Sequence, residues 1–236
     1  MKQTVRWHMA KVQSLIGVSE GRPNDDFYST PSHATKLLLD FESFPSPIWE
    51  PACGVGAIAK VLLKHEYQVH SSDIMHRGYG EGGVDFFGVG SMPNSCKSII
   101  TNPPFSVRLR GKEYRVENWV QHGFNIGAEK IALFLKTTAV AGKQRSFIFE
   151  KHLTKLLQFR DRVSLTRNDL QMANGGMMDF AWFVFERTCK TSPIIAWLPP
   201  NNRLHSDAGE SAPLQADFFV PAESTSQALS TPTQRR

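Results

Sequence analysis

Short apolar runs closed by glycine, proline or an acid recur along this chain. Between them lie stretches whose apolar residues return every three or four positions. The runs read as buried strands: Pro47-Ile48-Trp49-Glu50, Tyr67 to Asp73, Ser98-Ile99-Ile100, Lys130 to Lys136, Asp179 to Glu186 and Ile194 to Leu198. The periodic stretches read as helices. They are Ser32 to Leu39 behind Pro31, Ile58 to about His65, Val116 to Ile126 with Trp119, Val120 and Phe124 at core spacing, and Phe147 to Phe159. Thr30 or Ser32 suits the cap of the first helix, and Phe27-Tyr28 ahead of it suits a hydrophobic staple. Strands alternating with helices predict an α/β fold, mostly parallel and covered on both faces, with ligands gathered at the C-terminal strand ends.

The flanks read differently. Residues 1–24 end in Gly21-Arg22-Pro23-Asn24 and are expected to be an N-terminal extension, with the folded domain over 25–199. Pro, Asn, Ser, Thr, Gln and Ala dominate 200–236, which reads as a disordered tail with Phe218-Phe219 as a short contact element. Thr166 to Met178, containing Asn174-Gly175-Gly176, reads as a loop able to reach over a substrate.

Composition adds limits. A chain of 236 residues, 41% hydrophobic and 21% charged, supports one domain with a large core. No window has the apolar length of a membrane span, and Met1 to His8 lacks a secretory apolar segment. Cys53, Cys96 and Cys189 are widely spaced without a CxxC, which predicts neither a metal site nor a disulfide framework and suits a reducing cytoplasm. The net charge of +5 leans toward a polyanion partner. Four of the cations, Arg108, Arg110, Lys112 and Arg115, fall in one expected loop, Ser106 to Arg115. Lys143, Arg145 and Lys151 surround the start of a later helix. Such runs are often solvated faces, and beside a site they suit phosphate contact.

The candidate chemistry begins at Asn102-Pro103-Pro104-Phe105, which ends a strand. The two prolines stiffen the corner and donate no hydrogen bonds, so it offers acceptors next to an aromatic ring. That combination suits an amino group on a flat ring, the acceptors holding the amine and Phe105 stacking on the ring; an ordinary strand-ending turn is the plainer alternative. Upstream, strand Pro47–Glu50 runs through Pro51-Ala52-Cys53-Gly54-Val55-Gly56-Ala57 into a helix, the first half of a nucleotide-type βαβ unit. No Gly-Lys-Ser/Thr follows, so it is not a P-loop, and the third glycine of a dinucleotide fingerprint is missing. Asp73 ends the next strand where such folds hold ribose hydroxyls, and Asp85 precedes Phe86-Phe87 where an acid can meet a base amine.

Assembled, these residues resemble the S-adenosyl-L-methionine-dependent N6-adenine DNA methyltransferases, in the style of the small stand-alone enzymes of bacteriophages and prophages. The resemblance covers about Phe27 to Glu186. It implies a Rossmann-like class I methyltransferase fold, with a mostly parallel seven-stranded sheet and helices on both faces. It assigns the methionine end of the cofactor to Phe27, Tyr28, Thr30 and Pro31, and the glycine motif to Glu50, Pro51, Ala52, Cys53, Gly54 and Gly56. Asp73 and Ile74 would take the ribose region, Asp85 and Phe86 the cofactor adenine, and Asn102, Pro103, Pro104 and Phe105 the catalytic corner, with Asn102 also beside the cofactor. This motif order is the family's gamma-type arrangement. DNA is the implied partner, with Arg108, Arg110, Lys112, Arg115, Lys143 and Arg145 as its contacts. No large target-recognition domain follows the catalytic motif, so the basic loop and Thr166 to Met178 would have to serve. RNA adenine N6, RNA guanine N2 and protein glutamine are alternative acceptors on the same fold. A silent cofactor- or nucleic-acid-binding module and a nicotinamide-binding Rossmann enzyme are readings from other classes.

Overall fold

Three consecutive buried residues, Ile48–Glu50, form the first strand, β1. An unbroken buried run of this kind is what a strand covered on both faces shows. The computed structural model describes residues 28–200, apart from 105, 110, 144, 162, 164–165, 168–169, 172–178 and 190. The expected extension over 1–24 and the expected tail beyond residue 200 lie outside the described residues. Around β1 the chain builds α1 (Ser32–Phe41), α2 (Ala57–Lys64), β2 (Val69–Asp73), β3 (Glu81–Gly82), β4 (Ser98–Thr101), β5 (Ser106–Leu109) and β6 (Lys112–Arg115). There follow α3 (Val116–Asn125), β7 (Lys130–Lys136), α4 (Ser146–His152), β8 (Leu153–Phe159), β9 (Thr166–Arg167), β10 (Leu170–Gln171), β11 (Phe180–Glu186) and β12 (Ile194–Leu198).

The main sheet has eight strands in the order β12-β8-β11-β7-β4-β1-β2-β3. Only β11 runs against its neighbours; β12–β8, β7–β4, β4–β1, β1–β2 and β2–β3 are all parallel. The expected sheet had seven strands. Two of the eight strands are not among those read from the sequence: the short edge strand β3, Glu81–Gly82, and Leu153–Phe159, which the sequence predicts as the end of a helix and the structure makes β8. Because β8 is buried on both faces, with Leu156 in one core and Leu157 in the other, it carries apolar residues at both parities. That erases the alternation by which a strand is recognised.

Elsewhere the alternation is plain. Ile48, Ile100, Ala132, Phe134, Trp182 and Val184 face Leu37 and Leu38 of α1 and Ile58 and Leu62 of α2. Trp49, Ile99, Ile131, Leu133, Phe183 and Phe185 face Trp119, Val120 and Phe124 of α3 and Ile148 and Phe149 of α4. The Trp182 indole N–H donates to the Ala34 carbonyl at 2.8 Å and pins α1 to the sheet.

This topology places the site. From β1 the chain moves outward to β2 and β3, then returns past β1 to β4 and β7 on the other side. The strand order therefore reverses between β1 and β4, and their diverging connections leave a crevice at the C-terminal strand ends.

At the opposite end, Lys130 Nζ lies 2.7 Å from Glu42 Oε1 and 3.3 Å from Glu186, and Lys155 Nζ lies 2.8 Å from Glu42 Oε2. Burial alone would raise the Glu42 carboxyl, but the two ammonium groups draw it below the usual carboxylate value. A depressed folded value stabilises above the unfolded value near 4.5 and stops doing so as pH falls through the folded one. Glu42→Gln is thus expected to cost about 2 kcal/mol at neutral pH, with the gap closing in acid. Urea unfolding of both proteins at pH 7 and pH 3 checks this; a gap that persists at pH 3 contradicts the electrostatic account.

Candidate active site

Glu50, at the end of β1, is 2% exposed, and its Oε2 accepts the Ala59 N–H of α2 at 2.9 Å. One carboxylate thus stitches strand end to helix start and folds Pro51–Gly56 into a tight turn between them. Burial, opposed by the Ala59 N–H and reinforced by the Asp73 carboxylate, raises the Glu50 carboxyl well above its ordinary value. Within the turn Pro51 is buried and Ala52 half-buried.

Asp73 ends β2 and closes the turn from the other side. Its Oδ2 accepts the Gly54 N–H at 2.8 Å and its Oδ1 the Met75 N–H at 2.8 Å. Each oxygen keeps a second lone pair, so the carboxylate can still accept from a ligand hydroxyl. Gly56 caps α2 at φ 76, and a Cβ there would stand 2.4 Å from the ring of Tyr79. Only glycine suits both the backbone and the contact. Tyr79 is a residue that sequence reasoning missed. Its place as the lone aromatic between Gly78 and Gly80 was the available signal.

Cys53 sits inside this turn, its N–H donating to the Ser72 carbonyl at 3.0 Å. Burial and the neighbouring Glu50 and Asp73 carboxylates push its thiol up to about 12. Cys53 is therefore expected to resist iodoacetamide at pH 8 in the native protein and to react on unfolding. Peptide mass mapping of each state checks this; rapid native alkylation at Cys53 contradicts it.

Asn102 follows β4 directly, and β4 neighbours β1, from whose end the glycine turn starts. Its Nδ2 donates to the Tyr28 carbonyl at 3.1 Å and to Thr30 Oγ1 at 3.0 Å. A carbonyl can only accept, so the amide must present its NH2 there, which fixes the orientation of Oδ1. Oδ1 has no partner among the described residues. Thr30, 4% exposed, was a candidate helix cap; instead Pro31 stands at the N-cap of α1 without a side-chain bond, and Ser32 lies inside the helix. The hydroxyl of Thr30 serves Asn102. Pro103 is buried and Pro104 half-buried, while Phe105 and Phe27 lie outside the described residues.

Asp85 is drawn toward β2 by the Val84 N–H, which donates to the Asp73 carbonyl at 3.1 Å, and its Oδ1 accepts the Phe87 N–H at 3.0 Å. Phe86 is a core residue, 4% exposed and stacked on Trp119 at 4.4 Å. Ile74 and Met75 leave apolar surface exposed, at 41% and 49%, immediately beyond Asp73. The structure thus brings together Tyr28, Thr30 and Asn102, and separately Glu50, Cys53, Gly54, Asp73 and the Asp85 segment. It turns Phe86 inward.

The basic segment expected as a loop is an antiparallel hairpin, β5 with β6. Val107 and Leu109 alternate with Arg108 and Arg110 before Gly111, at φ 78, turns the chain. Tyr114 anchors the hairpin by stacking on Phe87 at 4.0 Å. Lys112 is exposed, and Arg115 pairs with Glu113 at 3.1 Å. Arg108 lies on β5, and Arg110 is outside the described residues. Lys143 is exposed, and the Arg145 guanidinium lies over Gly142. Within the expected loop after residue 165, β9 and β10 form an antiparallel ladder, and the rest lies outside the described residues. Among the described residues no helix is long and apolar enough to cross a membrane.

No protein-family model and no curated protein matches the sequence. The fold is similar to that of solved structures. A candidate RNA methyltransferase from Pyrococcus horikoshii superposes with a TM-score of 0.51 at 13% identity, over 76% of this chain and 98% of that one. A modification subunit of a candidate type I restriction enzyme from Vibrio vulnificus gives 0.49 at 10% identity, over 77% of this chain. The chain spans 48% of that subunit's length. At such identities the likeness is one of fold, a Rossmann-like α/β sheet of the kind found in methyltransferases.

Proposed function

We propose that the chain is an S-adenosyl-L-methionine-dependent methyltransferase acting on the N6 amine of adenine in DNA. The observation that carries this is Asn102 at the strand-order reversal. Its NH2 is held by the Tyr28 carbonyl and the Thr30 hydroxyl, and its Oδ1 remains available as an acceptor. The residues fit the cofactor. Asp73 keeps acceptor capacity for a ribose, and exposed Ile74 and Met75 offer an apolar seat for a flat ring.

The bound cofactor supplies an already activated methyl group on a sulfonium, so the protein's part is to prepare the acceptor. An exocyclic adenine amine is a weak nucleophile because its lone pair is delocalised into the ring. Asn102 Oδ1 and the Pro103 carbonyl each accept one of its hydrogens, which favours a pyramidal nitrogen and stabilises the positive charge that develops on attack. The bonds to Tyr28 and Thr30 hold that acceptor in advance of the reaction, so little reorganisation is left for the reactive step. No strong base is needed, since the proton is acidic once the nitrogen is alkylated. A target base must leave its stack to reach the corner, and Phe105, next after Pro104 in the sequence, is the proposed stacking ring.

RNA is the principal competing acceptor, given the likeness to an archaeal protein described as a candidate RNA methyltransferase. The deciding experiment offers purified protein and methyl-labelled cofactor to DNA, RNA and protein separately and identifies the product. Label in DNA as N6-methyladenine is expected. Label confined to RNA or to glutamine overturns the acceptor, and no transfer to any of the three overturns the enzyme.

A further inference from the structure

Glu50 and Asp73 end β1 and β2 on one side of β4, and β7 borders β4 on the other, the side taken here for the acceptor. Thr101 pairs with Leu133, so β7 runs past the end of β4 to Lys136 before a short turn, Thr137–Val140, leads toward α4. Along this passage the apolar rule fails twice. Val140 is 52% exposed and Phe147 66%, the highest value of any large apolar side chain among the described residues. The helix does not need Phe147 for packing, because Ile148 and Phe149 carry that burial. Cations lie on the same segment: Lys143 is exposed, the Arg145 guanidinium lies over Gly142, and Lys151 Nζ sits over the ring, 5.8 Å from its centre. Glu150 is the one acid of this stretch.

A single exposed Phe is unremarkable. An exposed aromatic face set among ammonium groups is the pairing that binds nucleic acid without sequence preference, the ring taking a base and the cations its phosphates. A paired base in a duplex presents its edges, whereas an unpaired one presents a face. We infer that Phe147, with Lys143 and Lys151, is a stacking site for an unpaired base of single-stranded DNA flanking the target. This rests on the acceptor proposed above and extends it by naming the strand state of the substrate.

The test uses the full chain with S-adenosylhomocysteine and a fluorescein-labelled, mixed-sequence single-stranded oligodeoxynucleotide, read by anisotropy. Phe147→Ala is expected to weaken binding about tenfold and Phe147→Trp to preserve it. Both should leave affinity for S-adenosylhomocysteine unchanged. Wild-type binding with an unaffected Phe147→Ala overturns this site alone. So does a loss that appears only with blunt duplex, or a change in oligomeric state, which would mean that a second copy covers the ring. Failure of the wild type to bind DNA at all overturns the proposed acceptor together with this site.

Discussion

Asn102→Ala is expected to slow methyl transfer by about a hundredfold or more while leaving cofactor affinity within about twofold of wild type. The side chain works from both ends. Its NH2 is held by the Tyr28 carbonyl and Thr30 hydroxyl, and its oxygen is left for the proposed acceptor amine. Alanine removes the acceptor that grows more valuable as charge develops on the amine, so the loss falls on the rate rather than on cofactor binding. Thr30→Val separates the two functions, since it deletes one anchoring partner and keeps the oxygen. Its loss should be smaller, about tenfold, because the Tyr28 carbonyl still holds the amide. Single-turnover rates and calorimetric cofactor titrations on the same preparations check both. An Asn102→Ala protein that transfers methyl groups normally, or that no longer binds cofactor, contradicts the role assigned to this residue.

Asp73→Ala carries the second large effect, on cofactor affinity and on stability together. Asp73 is 8% exposed and accepts the Gly54 and Met75 N–H groups at 2.8 Å each. Its removal strands the buried Gly54 donor and releases the turn that approaches the ligand. Losing a charged acceptor of this kind costs about 2–3 kcal/mol of folding stability. With the proposed ribose contact also gone, cofactor affinity should fall by about a hundredfold or more. Asp73→Asn should lie between, because one acceptor oxygen survives. Thermal unfolding and calorimetry measure the two effects; an Asp73→Ala protein with wild-type cofactor affinity removes Asp73 from the site.

The glycine turn was legible in the sequence because everything that makes it is local. Ile48-Trp49-Glu50, the Pro51–Gly56 turn and the apolar spacing of the next helix lie within about one supersecondary unit. The same holds for Asp73 at the end of its strand. The bond between Asn102 and Thr30 was not legible, since it joins residues 72 positions apart and Thr30 is equally credible as a helix cap. Strand β8 was hidden by its own burial, with Leu156 and Leu157 facing opposite cores. The β5–β6 hairpin was hidden by its charge. The alternation of Val107 and Leu109 with arginines, ahead of Gly111, signals a hairpin, but four cations in ten residues drew it toward a solvated loop. Phe86 shows the reverse error of emphasis. A motif position expected against the cofactor adenine lies instead between Trp49 and Trp119 in the core, so Asp85 is the member of the pair that remains near Asp73.

A crystal structure of the full chain with S-adenosylhomocysteine tests the central claim most directly, because it asks whether one cleft serves both Asp73 and Asn102. The ribose hydroxyls should meet the Asp73 carboxylate, with the sulfur turned toward Asn102 Oδ1 and separated from it by the space a methyl group and an amine would fill. A ligand bound away from the glycine turn, or one whose sulfur points away from Asn102, contradicts the account.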